Sequence, residues 1–178
     1  PLNFEERVAK FKKWKNQTQA DLKNNKSDDP IVKALIFTIN RFEIDLDYFD
    51  AFLKSMEMDL TISEYQTFDD LMEYVYGSAS VIGLQMVPIL GASDLKQASD
   101  AAEALGTAFQ LANFIRDVGE DLDRGRIYLP ISELKQFGVT PESLKTRVVS
   151  PQLREALKFQ INRVRELQRK ADLGIPLL

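Results

Sequence analysis

The sequence predicts an all-α protein, and three observations lead to this fold class. Apolar residues recur at helical spacing through most of the 178 residues, as they do in helices that bury one face. Runs that alternate between apolar and polar residues, which would indicate strands, are too short to predict a sheet. Capping residues and prolines stand where several of these segments begin. We therefore predict one helical domain over residues 1–178.

The amino-acid composition is that of an ordinary globular protein, and it excludes several classes of function. Hydrophobic residues make up 44% of the chain, charged residues 28%, and the net charge is −4. A chain without a basic field is a poor match for nucleic acid, and we expect no such partner. The chain has no Cys and no His, so thiolate nucleophiles, zinc-thiolate sites and histidine bases are excluded. Its apolar runs all fall short of the roughly 18 residues that a membrane span needs.

The first half of the chain is predicted to form four helices. They cover residues 4–25, 31–42, 44–58 and 71–86, and the last is expected to end near Pro88. The sequence Ser27-Asp-Asp-Pro30 places capping residues and a proline at the start of the second helix. The basic run at residues 10–15 suits an anionic membrane surface, although a solvated helix face is the simpler interpretation.

An acidic pair near the start of the fourth helix imitates an aspartate-rich metal-binding motif. The segment reads Phe68-Asp69-Asp70-Leu-Met-Glu73. Acidic residues in a first turn are favoured by the helix dipole, and either Thr67 or Asp69 can cap this helix. We therefore assign no metal to these acids.

The fourth helix contains an unusual number of small residues in its middle, namely Gly77, Ser78, Ala79, Ser80 and Gly83. Glycine within a helix costs about 1 kcal/mol relative to alanine, so the pattern needs an explanation. Small residues allow either close packing of a neighbouring helix or a cavity beside this one. The pattern itself leaves both interpretations open.

In the second half, a long helix over residues 94–123 is predicted to end at Gly125. A short helix at residues 132–137, a turn that begins at Thr140 and a last helix from Ser150 to about Ala171 follow it.

The long helix carries a stripe of polar residues near its carboxyl end. At about 100° per residue, one narrow face presents Gln110, Asn113, Asp117, Asp121 and Arg124. The spacing of Asn113, Asp117 and Asp121 is i, i+4, i+8, which stacks three oxygen donors on one side of the helix. Oxygen donors of this kind suit Mg²⁺, which keeps part of its shell for water and phosphates.

Arginines and a glycine flank this stripe. Arg116, Arg124 and Arg126 carry guanidinium groups that suit diphosphate oxygens, and Gly106, one turn before Gln110, leaves room for a ligand. Acids and arginines at helical spacing also form ordinary solvated, salt-bridged faces. A metal–diphosphate site and a solvated face are therefore the two interpretations of this stretch.

Two motifs of the chain resemble those of the squalene/phytoene synthase family. Gln110-Leu-Ala-Asn-Phe-Ile-Arg-Asp-Val-Gly-Glu-Asp121, followed by Gly125-Arg-Ile-Tyr-Leu-Pro130, is similar to the second aspartate-rich motif of that family. Tyr74-Val-Tyr-Gly-Ser-Ala-Ser-Val-Ile-Gly83 is similar to its other signature, and residues 56–60 and 65–71 resemble the segments that precede it. The residues of the aspartate-rich motif are nearer to those of phytoene synthases than to those of squalene synthases.

The resemblance implies a class I isoprenoid synthase-like helical bundle with a defined set of site residues. It implies that Asn113, Asp117 and Asp121 hold Mg²⁺, with Mn²⁺ as an alternative. Arg116 and Arg126 match diphosphate-binding arginines, and Gln110 and Tyr128 match residues that help to line the site. Tyr74 matches a tyrosine that orients or accepts protons, although a buried tyrosine often makes only a core hydrogen bond. A prenyl-chain pocket would be lined by Ser78, Ala79, Ile82 and Gly83.

The activity implied by the resemblance is the head-to-head condensation of two geranylgeranyl diphosphates. The product would be phytoene, formed through prephytoene diphosphate with release of diphosphate and without NADPH. Alternatives are a squalene or dehydrosqualene synthase that uses farnesyl diphosphate, and a non-catalytic scaffold or helical interaction domain. Because such substrates are greasy, we expect a cytoplasmic protein with peripheral membrane contact; its oligomeric state is not predicted.

The chain also departs from the family pattern. The run from Tyr74 to Ser80 lacks the usual Cys and the usual Ala-Gly pair, and the family's first aspartate-rich motif is absent. Asp45 and Asp47 cannot replace that motif because they fall at the wrong place in chain order. We therefore expect the bundle to be incomplete at both ends, the middle and second half of a larger domain, and inactive alone.

Overall fold

The computed structural model describes residues 3–178 and confirms the all-α fold class. The first two residues of the predicted domain lie outside the described part. The α-helices of residues 3–178 are α1 (Phe4–Lys23), α2 (Pro30–Phe42), α3 (Asp47–Met58), α4 (Phe68–Val75), α5 (Val81–Leu90), α6 (Leu95–Arg116), α7 (Val118–Asp123), α8 (Ile131–Gln136), α9 (Pro141–Lys145) and α10 (Pro151–Asp172). A π-helical turn (Tyr76–Ser80) joins α4 to α5, and a 3-10 turn (Ile175–Leu177) follows α10. Among these helices, none combines the length and the apolarity that crossing a membrane requires.

Two of the predicted helix caps agree with the observed ones. The side chain of Asp29 accepts hydrogen bonds from the first turn of α2, whose first residue is Pro30. At the start of α4, the Thr67 hydroxyl accepts from the Asp70 N–H at 3.1 Å, and the Asp70 carboxylate accepts from the Thr67 N–H at 2.9 Å. This reciprocal capping box explains the acidic pair of that segment without a metal.

The predicted start of the third helix at Ile44 is wrong, because α3 begins at Asp47. Glu43, which ends α2, adopts a left-handed conformation with φ 52°, and this turns the chain between the two helices. Ile44 is buried in the cluster that α1 and α2 share. The Asp45 side chain accepts a hydrogen bond from the Asp47 N–H at 2.9 Å, an interaction that competes with a helix and delays its start.

The fourth helix differs from its prediction in three ways. It begins at Phe68, three residues before the predicted start. It continues through Pro88 to Leu90, and a π-helical turn interrupts its middle. The turn coincides with the small residues around Gly77, where the helix packs directly on the backbone of α3. The Ser55 hydroxyl of α3 donates to the Tyr74 carbonyl oxygen at 2.9 Å, which provides a partner for a carbonyl next to the irregular turn.

The predicted single helix over residues 94–123 is wrong at one residue. Asp117 has φ −98° and ψ 11°, outside the helical region, and it separates α6 from α7. The hydrogen-bond ladder nevertheless continues across the break, since the Asp117 N–H donates to Asn113 O and the Asp121 N–H to Asp117 O, both at 2.8 Å. The polar stripe is therefore bent, and it does not follow three turns of one straight helix. The bend directs α7 towards the segment that pairs with residues 63–66 through Ile127, Ile131 and Ser132.

Glycines bring the central helices into backbone contact. A Cβ atom added to Gly83 of α5 would stand 2.4 Å from the Ala102 carbonyl oxygen of α6. A Cβ atom added to Gly106 of α6 would stand 2.5 Å from the Ala79 carbonyl oxygen. Larger residues at these positions would force the two helices apart, so the glycines set their separation.

A buried ion pair fixes α10 against α8. Arg163 donates to both carboxylate oxygens of Glu133, at 2.9 and 2.6 Å, and Gln160 donates to the same carboxylate at 2.6 Å. The Arg163 guanidinium also lies 3.8 Å from the centre of the Phe68 ring, which ties the pair to the start of α4. Burial would raise the pKa of Glu133, but the hydrogen bonds from Arg163 and Gln160 outweigh it and hold the pKa below its ordinary value.

We predict that Arg163→Met lowers the free energy of unfolding by about 3 kcal/mol, because it leaves a buried carboxylate without its partner. In the wild type, the lowered pKa of Glu133 stabilises the fold above the unfolded pKa of roughly 4.3, and this contribution is lost as the pH falls below it. The variant should lose this acid sensitivity. Urea unfolding at pH 7 and at pH 3, below the unfolded pKa of roughly 4.3, measures both effects. Lys158→Met, which removes an exposed pair with Glu155 on the same helix, is the control.

We also predict that Gly83→Ala and Gly106→Ala each lower the free energy of unfolding by about 2 kcal/mol through overpacking. Gly119→Ala is the matched control, because a Cβ atom there meets nothing within 4 Å, and it should be neutral or slightly stabilising. Urea unfolding of the three variants tests this. Equal stability of all three would show that the close approach of α5 and α6 does not limit the fold.

Candidate functional site

An apolar pocket of about 440 Å³ lies between α5, α6 and the end of the chain. Its lining consists of small or apolar side chains, with Ser78 and Gln110 as its polar members. The lining residues are Ser78, Ala79, Ile82, Gly83, Met86, Val87, Leu90, Ala98, Ala101, Ala102, Leu105, Gly106, Phe109, Gln110, Ala171, Gly174, Ile175 and Leu178. The volume lies in the range of small-molecule sites.

Six residues that sequence reasoning selected lie together in this pocket, namely Ser78, Ala79, Ile82, Gly83, Gly106 and Gln110. The two interpretations of the small residues both describe the structure, because Gly83 and Gly106 line the cavity and also make the close backbone contacts. The alanines that α6 contributes were not predicted. Their spacing, Ala98, Ala101 and Ala102, is a small-residue stripe facing α5, and this is the signal that would have found them.

The hydroxyl oxygen of Ser78 has no hydrogen-bond partner in the described residues, although it is buried. It lies in the π-helical turn, where the backbone departs from the α-helix. Buried polar atoms are usually paired, so this one marks the polar spot within an otherwise apolar pocket.

The acidic end of the site follows Gln110 along the same helix. Asn113 is exposed, one turn beyond Gln110, and Asp117 lies at the break between α6 and α7. Arg116 donates to the two carboxylate oxygens of Asp117 at 2.6 and 2.7 Å. These hydrogen bonds hold the pKa of Asp117 below its ordinary value.

Asp121 occupies a different environment from Asp117. Only 8% of the residue is exposed, and burial, followed by the negative charge of Asp117, raises the pKa of its carboxyl group. A cation bound between these acids would relieve both effects.

The donor set of this end is only part of a metal site. Within residues 3–178, no three His, Cys, Asp or Glu side chains are close enough to hold a metal ion. Asp117 and Asp121 offer two carboxylates, and Asn113 offers an amide oxygen. Mg²⁺ requires six oxygen ligands and accepts several from water and phosphate, so these residues fit one side of a magnesium centre.

Arg124 makes no hydrogen bond to the acids of this end, although its positive charge acts to lower the pKa of both Asp117 and Asp121. Its guanidinium pairs with Glu120 on the exposed face of α7. The solvated-face interpretation of the polar stripe describes this residue.

Three further predicted residues, Tyr74, Arg126 and Tyr128, meet in an aromatic group next to Asp121. The aromatic rings of Tyr65, Tyr74, Phe114 and Tyr128 pack together, and Phe114 and Tyr128 stack with 4.1 Å between ring centres. Arg126 donates to the Tyr128 hydroxyl at 2.6 Å. The backbone N–H of Arg126 donates to the Asp121 carbonyl oxygen at 2.8 Å. The aromatic group around Tyr128 is therefore adjacent to the acidic end of the site.

Tyr74 is buried within these rings, and its hydroxyl donates to Asp59 at 3.2 Å. Burial, the neighbouring Tyr128 and the charge of Asp59 raise its pKa well above the ordinary range, so the hydroxyl stays protonated at neutral pH. Its contact is the one that a core tyrosine makes. A role in proton transfer stays a prediction.

Sequence reasoning missed Asp59, which contacts both Tyr74 and Arg126. The residue lies in the segment 56–60 that resembles the family, but Arg126 is 67 positions away in the chain. No helical spacing connects residues so far apart, and only the folded structure brings them together.

A family model described as squalene/phytoene synthase matches residues 2–178. The chain belongs to the squalene/phytoene synthase family. Among curated members, phytoene synthase 1, chloroplastic, of Solanum lycopersicum is 38% identical over 172 residues, which cover 94% of this chain and 42% of that protein. Phytoene synthase, chloroplastic, of Daucus carota is 40% identical over 168 residues, which cover 92% of this chain and 42% of the relative.

Solved structures of family members show the same fold. Squalene synthase HpnC from Alicyclobacillus acidocaldarius superposes with a TM-score of 0.87 at 26% identity and covers 97% of this chain. A dehydrosqualene synthase in complex with a ligand gives a TM-score of 0.85 at 30% identity over 95% of this chain. The chain covers 65% and 59% of those two structures and about two fifths of the curated relatives.

Proposed function

We propose that the protein containing these residues condenses two prenyl diphosphates head to head, with release of diphosphate. One observation carries the proposal: the apolar pocket and the acidic end share helix α6. Gln110 lines the pocket, Asn113 follows one turn later, and Asp117 ends the helix. A molecule with a greasy tail and a diphosphate head matches this order of surfaces.

The polar and charged residues at the end of α6 and beyond it would act on the diphosphate leaving group. Asn113, Asp117 and Asp121 would hold Mg²⁺, or Mn²⁺ in its place, and the metal would supply charge neutralisation as the allylic carbon–oxygen bond breaks. Arg126 would add guanidinium donors to the same oxygens. Arg116 would do so once a bound metal takes the Asp117 carboxylate, which its Nε and Nη2 groups now contact. Groups fixed in advance around a developing negative charge stabilise the transition state.

The pocket would shield the cationic carbon chain from water. Sixteen of its lining residues carry no polar side-chain group, and only Ser78 and Gln110 do. Water would trap an allylic carbocation, so a dry lining favours carbon–carbon bond formation. Tyr74 would orient the reacting carbons or exchange a proton near them.

For the substrate we propose geranylgeranyl diphosphate, with phytoene as the product, prephytoene diphosphate as the intermediate and no requirement for NADPH. The curated relatives named above are phytoene synthases, which supports this choice. The alternative is farnesyl diphosphate, because the two similar structures are a squalene and a dehydrosqualene synthase. Cytoplasmic location and peripheral membrane contact stay predictions, and α1 presents an exposed Trp14 among lysines that suits such contact.

The test is a product assay on the full-length protein. It is incubated with Mg²⁺ and with either geranylgeranyl or farnesyl diphosphate, and hydrocarbons are identified by mass spectrometry. We expect a forty-carbon product from the longer substrate. A thirty-carbon product would move the function to the squalene branch, and a folded protein without product would favour a scaffold. Residues 1–178 alone hold one side of the metal centre, and we expect them to be inactive.

We predict that Asp117→Asn and Asp121→Asn each lower turnover of the full-length protein by about 100-fold or more. The melting temperature should barely change for Asp117→Asn, because its pair with Arg116 is exposed. It should hold or rise for Asp121→Asn, because the raised pKa means that the charged carboxylate is disfavoured in the fold.

Asp123→Asn is the matched control for both variants. Asp123 lies on α7 two residues from Asp121 and pairs with Arg147 at the surface, so its turnover should equal that of the wild type. Steady-state kinetics and thermal melts of the three variants decide the matter. A large loss of stability in the Asp117 or Asp121 variant would mark these acids as structural.

A further inference from the structure

Asp59 caps the carboxyl end of α3 and contacts two residues of the proposed site at once. One carboxylate oxygen accepts from Arg126 Nη1 at 2.8 Å, and the other accepts from the Tyr74 hydroxyl at 3.2 Å. Its backbone carbonyl oxygen accepts from Arg126 Nη2 at 2.9 Å. The side chains of Asp59 and Arg126 are 27% and 31% exposed, so the pair is largely shielded from water.

These hydrogen bonds occupy one side of the Arg126 guanidinium. Asp59 takes the edge formed by Nη1 and Nη2, and the second Nη1 hydrogen goes to the Tyr128 hydroxyl. A guanidinium has five N–H donors in a rigid plane. The edge formed by Nε and Nη2 is therefore left for another acceptor, and two parallel donors are the arrangement that binds phosphate oxygens.

Arg126 also lies near Asp121, whose carboxylate could pair with the guanidinium in place of a ligand. Its N–H bonds the Asp121 carbonyl oxygen, and the two residues line the same small cavity with Phe114 and Tyr128. Asp121 is the acidic residue in the lining of this cavity, so it is the carboxylate there with which the guanidinium could pair if Asp59 lost its charge. An ion pair between them would consume both a diphosphate donor and a metal ligand.

We propose that Asp59 is a positioning residue, which holds Arg126 with its Nε–Nη2 edge open to diphosphate and keeps it from pairing with Asp121. The inference rests on the proposed function, since it assigns Arg126 to the diphosphate of that same site. Asp59 touches no reacting atom. It acts through Arg126.

The test measures binding of inorganic diphosphate with Mg²⁺ to the full-length protein by calorimetry, before any assay of turnover. Four proteins are compared: the wild type, Asp59→Asn, Arg126→Met and the double variant. We expect Asp59→Asn to weaken diphosphate binding by about 10- to 100-fold, as loss of a supporting hydrogen-bond partner does elsewhere. We expect the double variant to bind no worse than Arg126→Met, because Asp59 has no effect once Arg126 is gone.

Glu57→Gln is the matched control. Glu57 lies on α3 two residues before Asp59 and pairs with Lys15 of α1, so the change breaks an ion pair without touching Arg126. It should bind diphosphate as the wild type does. If Asp59→Asn does not fold, Asp59→Glu, which keeps the charge at a changed reach, replaces it, and partial retention of affinity is expected.

The outcomes separate the inference from the proposed function. A wild type that binds no diphosphate would overturn the site itself. Wild-type binding that Asp59→Asn leaves unchanged would overturn only the role of Asp59. Additive losses in the double variant would also overturn it, since they would show that Asp59 acts on binding independently of Arg126.

Discussion

The contact between helix backbones at Gly83 and Gly106 is the constraint on which the rest of this structure depends. Because no side chain stands between α5 and α6 at these points, the two helices lie close together and their remaining residues face a shared space. Alanines of α6 and the small residues of the π-helical turn leave that space open. The same residues thus provide both the tight packing and the cavity, and Ala171 of α10 and Gly174 after it close one side.

The polar half of the site depends on a departure from regular helix. If α6 continued straight through Asp117, its last turns would carry Asp121 along the same axis. The break at Asp117 instead starts a short helix that delivers Arg126 and Tyr128 next to Asp121. The hydrogen bonds between residues 127–132 and 63–66 hold this return in place. Irregular backbone is therefore what brings donors from two directions to one end of the pocket.

Much of the fold and part of the site could be predicted from the sequence. Thr67, Asp29 and Pro30 are local signals, and local signals gave correct helix starts. The spacing of Gln110, Asn113 and Asp117 depends on one helix, and these residues do share α6. Asp59 and the α10 residues of the pocket could not be found in this way, because their neighbours come from distant parts of the chain. The break at Asp117 was not predicted for another reason. The hydrogen-bond ladder and the helical periodicity both continue across it, so the sequence pattern shows no interruption there.

The most direct measurement of the central claim is a crystal structure of the full-length protein with Mn²⁺ and a non-reactive prenyl thiodiphosphate. We predict metal within about 2.2 Å of carboxylate oxygens of Asp117 and Asp121, the diphosphate against Arg126, and the prenyl tail between α5 and α6 beside Gly83 and Gly106. A tail bound outside this pocket, or a diphosphate without contact to α6 and α7, would contradict the proposed site.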